Sequence, residues 1–311
     1  MPSLRSRLFR FLLKHGHLLR FQFKRTTIDL NTSIPRLRQE VEKTSKLFGK
    51  LPDGIEASPI TIDSLLAEWI LPSQAKKDKV ILYFHGGGYV MGSIQAHRSI
   101  VAKFVKGSKV GALLFGYRLA PEHPFPAALD DSMTAYRWLL AEGVSPSHIV
   151  FVGDSAGGGL CLATLIALRD QDIPLPVAGV ALSPWTDLKC TGESHRTKAR
   201  IDPLTPKGSC TVFSKYYVGE NDPCNPWITP LYGDLRGLPS ILIHVGEDEV
   251  LLDDSTRFAE KAKDAGVDVT LKVEEGMFHC FPACAPLFPE AVRAMDEICT
   301  FIKTHIGNKI E

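Results

Sequence analysis

One serine of the chain lies in a setting that suits nucleophilic catalysis. Residues 153–157 read Gly-Asp-Ser-Ala-Gly and fit the pattern G-x-S-x-G, in which a serine sits on a sharp turn between a strand and a helix. Small neighbours allow such a tight turn. The apolar run at 148–152 is typical of a strand, and the Leu- and Ala-rich run at 160–168 is typical of a helix. The context therefore predicts a nucleophile elbow at Ser155.

A run of three glycines could serve the same chemistry. Residues 85–88 read His-Gly-Gly-Gly and directly follow the apolar run 80–84. Consecutive glycines leave backbone N–H groups accessible and permit unusual dihedral angles, which suits binding of a negatively charged oxygen. Alone, the run would fit a glycine-rich turn without a ligand equally well. Its occurrence together with the serine motif favours oxyanion binding.

The elements that must position these motifs alternate along the chain. A partly alternating stretch, residues 61–70, predicts an early antiparallel strand. Apolar runs that predict buried strands lie at 80–84, 110–115, 149–152, 177–182, 241–245 and 269–273, and helical spacing occurs at 127–140, 160–169, 255–265 and 290–304. This pattern predicts an α/β fold with a mostly parallel sheet covered on both faces. Such sheets bind ligands at the carboxyl ends of their strands, where both motifs fall.

Composition excludes several classes of protein. The 311 residues carry a formal charge of +1, so we expect no nucleic-acid partner. A hydrophobic content of 44% is that of an ordinary soluble globular protein, and no apolar run approaches the ~20 residues of a membrane span. Seven cysteines without C-x-x-C pairs argue against a disulfide framework or a zinc site. We therefore expect a cytoplasmic protein that needs no metal ion or cofactor.

Three motifs together resemble a known family. They are His-Gly-Gly-Gly at 85–88, Tyr-Arg-Leu-Ala-Pro-Glu-His-Pro-Phe-Pro-Ala at 117–127 and Gly-Asp-Ser-Ala-Gly-Gly at 153–158. The chain from about residue 80 to 306 resembles the hormone-sensitive-lipase family of α/β-hydrolases, in particular its bacterial-type carboxylesterases. The resemblance implies the α/β-hydrolase fold and hydrolysis of short- to medium-chain acyl esters through an acyl-enzyme intermediate. It also implies an oxyanion hole made by the backbone N–H groups of Gly87, Gly88 and Ala156, and it allows a homodimer through the sheet edge.

The general base must be a histidine late in the chain. In this fold the order is serine, acid, histidine. Of ten histidines, His279 lies in a loop just beyond the predicted strand 269–273. His244 lies inside a predicted strand, His305 ends the last helix, and His85 belongs to the glycine motif. We therefore expect His279 to take the serine proton and later to protonate the leaving group.

The acid is less sharply indicated. Several carboxylates crowd the loop after the predicted strand 241–245. Matching this loop to relatives within the resemblance assigns Glu249, whereas counting from the strand leaves Asp248 open. Asp253 and Asp254 are better suited to capping the next helix. Either acid would orient the imidazole and stabilise its charged form.

Three further residues lie near these motifs. Tyr89 and Trp185 are expected to line an acyl or alcohol pocket, although core packing is an alternative for Trp185. Cys280 follows the proposed base but lacks the pattern of a nucleophile, so we interpret it as a packing residue.

The chain divides into a cap segment at residues 1–50 and a catalytic domain at 51–311. Prolines punctuate 185–238, which predicts a cap insertion with a helix at about 205–218. Residues 4–25 alternate basic and apolar side chains without an acidic one. They could form a cap helix over a cleft, or a basic amphipathic helix with weak affinity for a membrane surface. A targeting signal fits less well, because Lys14 interrupts the apolar stretch.

Other functions share the same motifs. A hormone receptor that has lost catalysis is one alternative, although such receptors lack the histidine expected at His279. Hydrolysis of an amide, lactone or arylformamide by the same residues is another. A lipase acting at surfaces would show a rate jump once its substrate exceeds its solubility limit. Turnover of a p-nitrophenyl ester, blocked by a serine-directed organophosphate, would separate an esterase from a receptor.

Overall fold

The chain folds around one eight-stranded sheet. A computed structural model describes residues 1–19, 27–48, 51–73 and 77–307. The strands are β1 (Ile55–Ile62), β2 (Leu65–Pro72), β3 (Val80–Phe84), β4 (Gly111–Phe115), β5 (Ile149–Asp154), β6 (Ala178–Leu182), β7 (Ser240–Gly246) and β8 (Val269–Glu274). Their order is β1-β2-β4-β3-β5-β6-β7-β8. Among the described strands, only the pairings of β2 with β1 and β4 are antiparallel, so the predicted mostly parallel sheet is confirmed.

Helices cover both faces of the sheet. They are α1 (Leu4–Leu19), α2 (Ile34–Phe48), α3 (Ile94–Ser108), α4 (Ala127–Ala141), α5 (Ala156–Asp170), α6 (Ser194–Thr197), α7 (Ser209–Val218), α8 (Leu252–Asp264) and α9 (Pro289–Gly307). Successive side chains of a strand point to opposite faces. Accordingly, Tyr83 belongs to the core that α3 and α9 cover, whereas its neighbour Phe84 belongs to the core on the opposite face, which α4, α5 and α8 cover. Full burial of each such side chain contributes about 1.5–3 kcal/mol.

The early antiparallel strand predicted at residues 61–70 is confirmed as β2, but this strand begins only at Leu65. The stretch is a hairpin in which β1 ends at Ile62 and β2 begins at Leu65. Asp63 turns the chain with φ 52°. Aspartate tolerates this left-handed conformation better than most residues. Because the turn has neither glycine nor proline, the alternating pattern continues through it and hides it.

Two helices differ from expectation. The sequence pattern did not indicate α3, whose start is capped by the Ser93 hydroxyl accepting from the N–H of Ala96 at 3.0 Å. Helix α7 begins at Ser209 rather than near 205, because Gly208 has φ 85° and precedes the first helical turn. The predicted helices at 127–140, 160–169, 255–265 and 290–304 correspond to α4, α5, α8 and α9.

The N-terminal helices pack on the sheet domain at separate places. Phe9 of α1 contacts the rings of Phe278 and Phe288, with centroids 5.9 and 5.6 Å away. Arg38 of α2 pairs with Glu122 at 2.7 Å and donates to the carbonyl of Val90. The second part of the basic apolar segment, residues 20–26, lies outside the described residues. None of the described helices is both long enough and apolar enough to cross a membrane.

The segment between β6 and β7 carries α6 and α7. A parallel bridge between Thr27 and Lys207 joins it to the N-terminal segment, and the N–H of Ile28 donates to the carbonyl of Lys207 at 2.9 Å. This contact places α7 and α2 beside the carboxyl ends of the central strands, where Val41 and Phe213 face the same cavity.

Candidate functional site

Ser155 occupies a strained turn between β5 and α5. Its backbone has φ 55° and ψ −123°, which is unusual for a residue other than glycine. The two flanking positions must be glycines because a larger side chain would clash with the backbone. A Cβ on Gly157 would lie 2.1 Å from the carbonyl oxygen of Phe84, and one on Gly153 would lie 2.3 Å from that of Gly157. The G-x-S-x-G spacing therefore follows from the close packing of this turn against β3.

His279 contacts the serine from the loop after β8. Its Nε2 lies 2.9 Å from Oγ of Ser155, which is hydrogen-bond distance. Gly276 and Cys280, on either side, have φ 66° and 52°, so the loop bends sharply back over the sheet. The structure thus brings the two residues together although 124 positions separate them in the chain.

Glu249 lies on the other side of the imidazole. Its Oε2 is 3.7 Å from Nδ1 of His279, and the carboxylate is fully buried. The hydroxyl of Ser183 donates to the same Oε2 at 2.8 Å. Asp248 instead forms ion pairs with Arg10 of α1 and, at 3.2 Å, with Lys198. Of the two carboxylates that the sequence left open, the structure places Glu249 next to the histidine.

Burial and neighbouring groups have opposite effects on the pKa of His279. Burial raises the pKa of Glu249. Burial also opposes the charged form of His279, but contacts with Cys280 and Glu249 outweigh it and raise the pKa of His279 above its ordinary value. Since burial raises the pKa of the Cys280 thiol as well, that thiol is neutral near pH 7. The Glu249 carboxylate is then the negative charge that stabilises the imidazolium.

The other histidines considered from the sequence have structural surroundings. His85 stacks on Tyr117 with ring centroids 4.1 Å apart, and burial together with His97 lowers the pKa of His85 to about 3. Burial and Lys272 lower the pKa of His244 to about 4. Both rings are neutral at physiological pH and lie away from Ser155.

The glycine motif lies against the elbow. Gly87 and Gly88 have φ +123° and +63°, and an added Cβ would lie 2.1 Å from the Met91 carbonyl oxygen and 2.5 Å from the Phe213 ring, respectively. Both glycines line the cavity that contains Ser155. Ala156 is the first residue of α5, so its N–H has no acceptor within the helix. The three residues expected to bind an oxyanion therefore surround the serine.

Asp154 connects the two motifs. Its Oδ1 accepts from the hydroxyl of Tyr83 at 2.8 Å and from the N–H of Gly86 at 3.0 Å. Its Oδ2 lies 3.7 Å from Nε2 of His97. These bonds hold the glycine run at a set distance from the elbow.

A cavity of about 460 Å³ opens in front of Ser155. Most of its wall is apolar. The lining includes Val41, Gly87, Gly88, Met91, Trp185, Leu204, Phe213, Leu251, His279 and Cys280. Clefts of this size hold small organic ligands with most of their surface buried. Trp185 lies in the wall, as the sequence suggested.

Tyr89 does not line this cavity as the described residues form it. The side chain is 1% exposed and stacks on Tyr217 with ring centroids 3.7 Å apart. The expectation that Tyr89 contacts substrate is thus corrected. Its φ of 63°, which follows two glycines with positive φ, turns the ring into the core beneath α7.

Sequence reasoning missed Ser183. Its hydroxyl donates to Glu249 and accepts from the N–H of Cys280 at 3.0 Å, so it links the loops that carry the acid and the base. Sequence reasoning also missed Arg10. This residue links the same two loops, because it pairs with Asp248 and donates to the Gly276 carbonyl at 3.0 Å. The position of Ser183 directly after a predicted strand could have indicated its role, whereas no feature of the sequence indicated the role of Arg10.

The described residues form no cluster of side chains that could bind a metal ion. Within the four described ranges, no three His, Cys, Asp or Glu residues are arranged to hold a metal ion. The chemistry available at Ser155 is that of the hydroxyl, the imidazole, the carboxylate and the backbone N–H groups.

Comparisons with known proteins agree with this fold. A family model described as the alpha/beta hydrolase fold matches residues 81–283. An acetyl-hydrolase of Streptomyces hygroscopicus is 38% identical over 283 residues, 90% of this chain and 93% of its own. An esterase of Acinetobacter venetianus is 35% identical over 278 residues, 89% of this chain and 91% of its own. A crystal structure of an esterase from the bacterial hormone-sensitive lipase family aligns with TM-score 0.89 and 39% identity, covering 99% of this chain and 100% of that one.

Proposed function

The chain belongs to the hormone-sensitive-lipase branch of the α/β-hydrolase family, and on that premise we propose that it hydrolyses carboxylic esters with short to medium acyl chains. Ser155 attacks the ester carbonyl, and the alcohol leaves as an acyl-enzyme forms. A water molecule then attacks the acyl-enzyme and releases the acid. No metal ion or cofactor takes part in these steps.

His279 performs the proton transfers, and Glu249 supports it. Nε2 of His279 takes the proton from Ser155 Oγ, 2.9 Å away, and gives it to the leaving alcohol. Glu249 stabilises the imidazolium that forms in between. The 3.7 Å separation from Nδ1 is longer than a hydrogen bond, and catalytic contacts in unliganded enzymes commonly tighten when substrate binds.

The backbone N–H groups of Gly87, Gly88 and Ala156 stabilise the tetrahedral oxyanion. Gly88 has open access to the cavity because it lacks a side chain, and Ala156 adds the positive end of helix α5. Each such donor typically contributes about 3 kcal/mol to the transition state.

Cavity size and lining support the substrate class. The cavity has a volume of about 460 Å³. Part of its wall is formed by Val41 of α2, by Phe213 of α7 and by Leu204, which precedes α7. These residues come from the N-terminal segment and from the segment between β6 and β7, which together act as the cap. An apolar wall of this extent favours an acyl chain and leaves little room for a long one.

The exposed face of α1 supports a weak surface contact. Leu4, Leu8 and Phe11 are 81%, 61% and 57% exposed, and exposed Arg5 and Arg7 lie beside them. A basic helix with such a face binds anionic lipid surfaces. Sedimentation with phosphatidylglycerol vesicles should carry down the wild type more than the double variant Leu8→Glu with Phe11→Glu. Equal sedimentation of the two would refute the contact.

A homodimer through the edge of the sheet remains a prediction, and light scattering would test it. A molar mass equal to that of a single chain across the concentration range would contradict it.

The observation that carries the proposed function is the Ser155–His279 contact at the elbow. Ser155→Ala should lower kcat for p-nitrophenyl butyrate roughly 10³-fold or more, with circular dichroism unchanged. Ser145→Ala, at an exposed serine, is the matched control. A series of acyl chain lengths on the wild type should give its highest kcat/KM among short to medium chains. Retained turnover in Ser155→Ala would overturn the proposal, and binding without turnover in the wild type would favour a receptor.

A further inference from the structure

A second group of reactive side chains lies beside the catalytic cavity. Cys190 follows β6, His195 belongs to α6, Cys210 to α7 and Asp254 to α8. Cys190, His195 and Cys210 line a separate cavity of about 460 Å³. The proposed ester hydrolysis uses none of the four.

His195 and Asp254 form a rigid pair. Nε2 of His195 lies 2.8 Å from Oδ2 of Asp254, whose side chain is fully buried. The other oxygen, Oδ1, accepts from the N–H groups of Thr186 and Asp187 at 3.1 and 2.8 Å. The carboxylate is therefore held in place and orients the ring through Nε2. The ring and Cys190 line the same cavity.

The Cys190 thiol lines this cavity together with Cys210 and His195. The Cys210 side chain and then His195 lower the pKa of Cys190, against burial and the charge of Asp254. Burial of His195 opposes its charged form, but Asp254 and Cys190 outweigh it and raise its pKa to about 10. Interaction with Cys190, together with burial, raises the pKa of Cys210. A thiolate, a protonated imidazole and a neutral thiol therefore lie together near pH 7.

Solvent can reach this group. Cys190, His195 and Cys210 are each half-buried, and the cavity opens between α6 and α7. Arg196, Arg200 and Lys207 add positive charge to the cavity wall. Reactive cysteines are typically found in such electropositive, partly exposed surroundings.

The remaining cysteines differ. Burial raises the pKa of the thiols of Cys161, Cys280, Cys284 and Cys299, which makes them poor nucleophiles. Cys224 is exposed on the surface, and its sulfur is 3.5 Å from the Lys189 amine. Cys224 therefore serves as an internal reference for an accessible thiol without a histidine beside it.

We propose that Cys190 and Cys210 are a peroxide-reactive thiol pair that His195 and Asp254 activate. The Cys190 thiolate attacks one oxygen of hydrogen peroxide. The O–O bond breaks, and the leaving hydroxide takes the proton of the His195 imidazolium to form water. Cys190 becomes a sulfenic acid. The Cys210 sulfur then attacks it, the S–O bond breaks, and a second water leaves with the Cys210 proton.

Two thiols thus lose two electrons and one peroxide gains them. The disulfide joins α7 to the loop after β6. Because Cys210 also lines the Ser155 cavity, the bond forms in the wall between the two cavities. The thiol chemistry stands independently of the ester hydrolysis.

Differential alkylation and peptide mapping test the proposal on the full chain. Reduced protein is treated with limiting hydrogen peroxide at pH 7, and free thiols are then blocked with iodoacetamide. The expected product is a Cys190–Cys210 cross-linked peptide, formed before any oxidation of Cys224. A map in which Cys190 remains fully alkylated after Cys224 or Cys280 has oxidised would overturn the proposal. This measurement needs no variant.

Variants separate the roles of the four residues. Cys210→Ser should accumulate a dimedone-reactive sulfenic acid at Cys190, whereas Cys190→Ser should abolish the cross-link and keep the esterase activity of the wild type. His195→Gln should slow the reaction of Cys190 with peroxide about tenfold at pH 7, because less thiolate is present. Cys224→Ser is the control and should leave that rate unchanged. A rate independent of His195 would refute its activating role.

Discussion

Two regions of this molecule combine a serine or cysteine, a histidine and a buried carboxylate. One is Ser155 with His279 and Glu249, and the other is Cys190 with His195 and Asp254. Both lie near the carboxyl ends of the central strands, and each faces a cavity of about 460 Å³. Residue types alone would not distinguish them.

Their surroundings do distinguish them. Ser155 has φ 55° on a tight turn next to the glycine run, so its hydroxyl faces a cavity with several backbone N–H groups. Cys190 lies in a loop and faces a second thiol instead. His279 contacts its nucleophile through Nε2, whereas His195 uses Nε2 for its carboxylate. A nucleophile beside a histidine therefore specifies acyl transfer only where oxyanion donors are also present.

The largest expected difference is between the two histidines. His279→Ala should lower kcat for ester hydrolysis roughly 10³-fold or more, because the serine loses its base. His195→Ala should leave kcat unchanged within error. Steady-state kinetics of both variants, with folding checked by circular dichroism, would measure this. A comparable loss in His195→Ala would mean that the two regions act as one site.

The next difference concerns the acid. Glu249→Gln preserves size but removes the charge beside His279, and kcat should fall roughly 10²- to 10⁴-fold. Asp248→Asn removes only the pairs with Arg10 and Lys198, and its kcat should remain close to wild type. Parallel measurement of kcat for the two variants tests the assignment. If Asp248→Asn were the inactive one, Glu249 would not be the acid.

A smaller effect is expected at the glycine run. In Gly88→Ala the new Cβ would lie 2.5 Å from the Phe213 ring at φ +63°, which displaces an oxyanion donor. We expect kcat to fall about 10²-fold. Gly143→Ala is the matched control, since Gly143 has φ +84° and nothing lies within 4 Å of its added Cβ. Equal kcat in both variants would argue against the oxyanion role of Gly88.

The smallest effect is a shift in the pH profile. A protonated His279 cannot accept the serine proton, so kcat/KM falls as the pH drops through the pKa of His279. Although burial opposes it, Cys280 and Glu249 raise that pKa, so the midpoint should lie above 6.5. Glu249→Gln should move the midpoint to lower pH, because the imidazolium loses its stabilising charge.

Cys280→Ser separates the two causes of that shift. Burial keeps the Cys280 thiol neutral, so it acts on His279 through the contact of its sulfur with Nε2 at 3.5 Å, which a serine hydroxyl can also make. The midpoint of kcat/KM should therefore stay in place in this variant. A midpoint that fell in Cys280→Ser but not in Glu249→Gln would show that the charge beside His279 is a thiolate.

Much of the fold followed from local patterns. Apolar runs predicted the buried strands from β3 to β8, because a strand covered on both faces must be apolar throughout. The hairpin turn at Asp63 escaped detection because aspartate adopts φ 52° without the glycine that usually marks such a turn. Tyr89 was placed wrongly because its neighbours in the chain line the cavity while its own ring turns toward Tyr217.

The sequence by itself determined the elbow at Ser155 and predicted that His279 lies close to it. These predictions depend on steric demands within a few consecutive residues, which are visible in the sequence as glycines and apolar runs. Only the tertiary structure places Glu249 rather than Asp248 next to His279, since adjacent side chains point in different directions after a turn. The tertiary structure also brings together Cys190, His195, Cys210 and Asp254. Contacts between separate elements depend on packing rather than on spacing along the chain, so the sequence did not indicate this group.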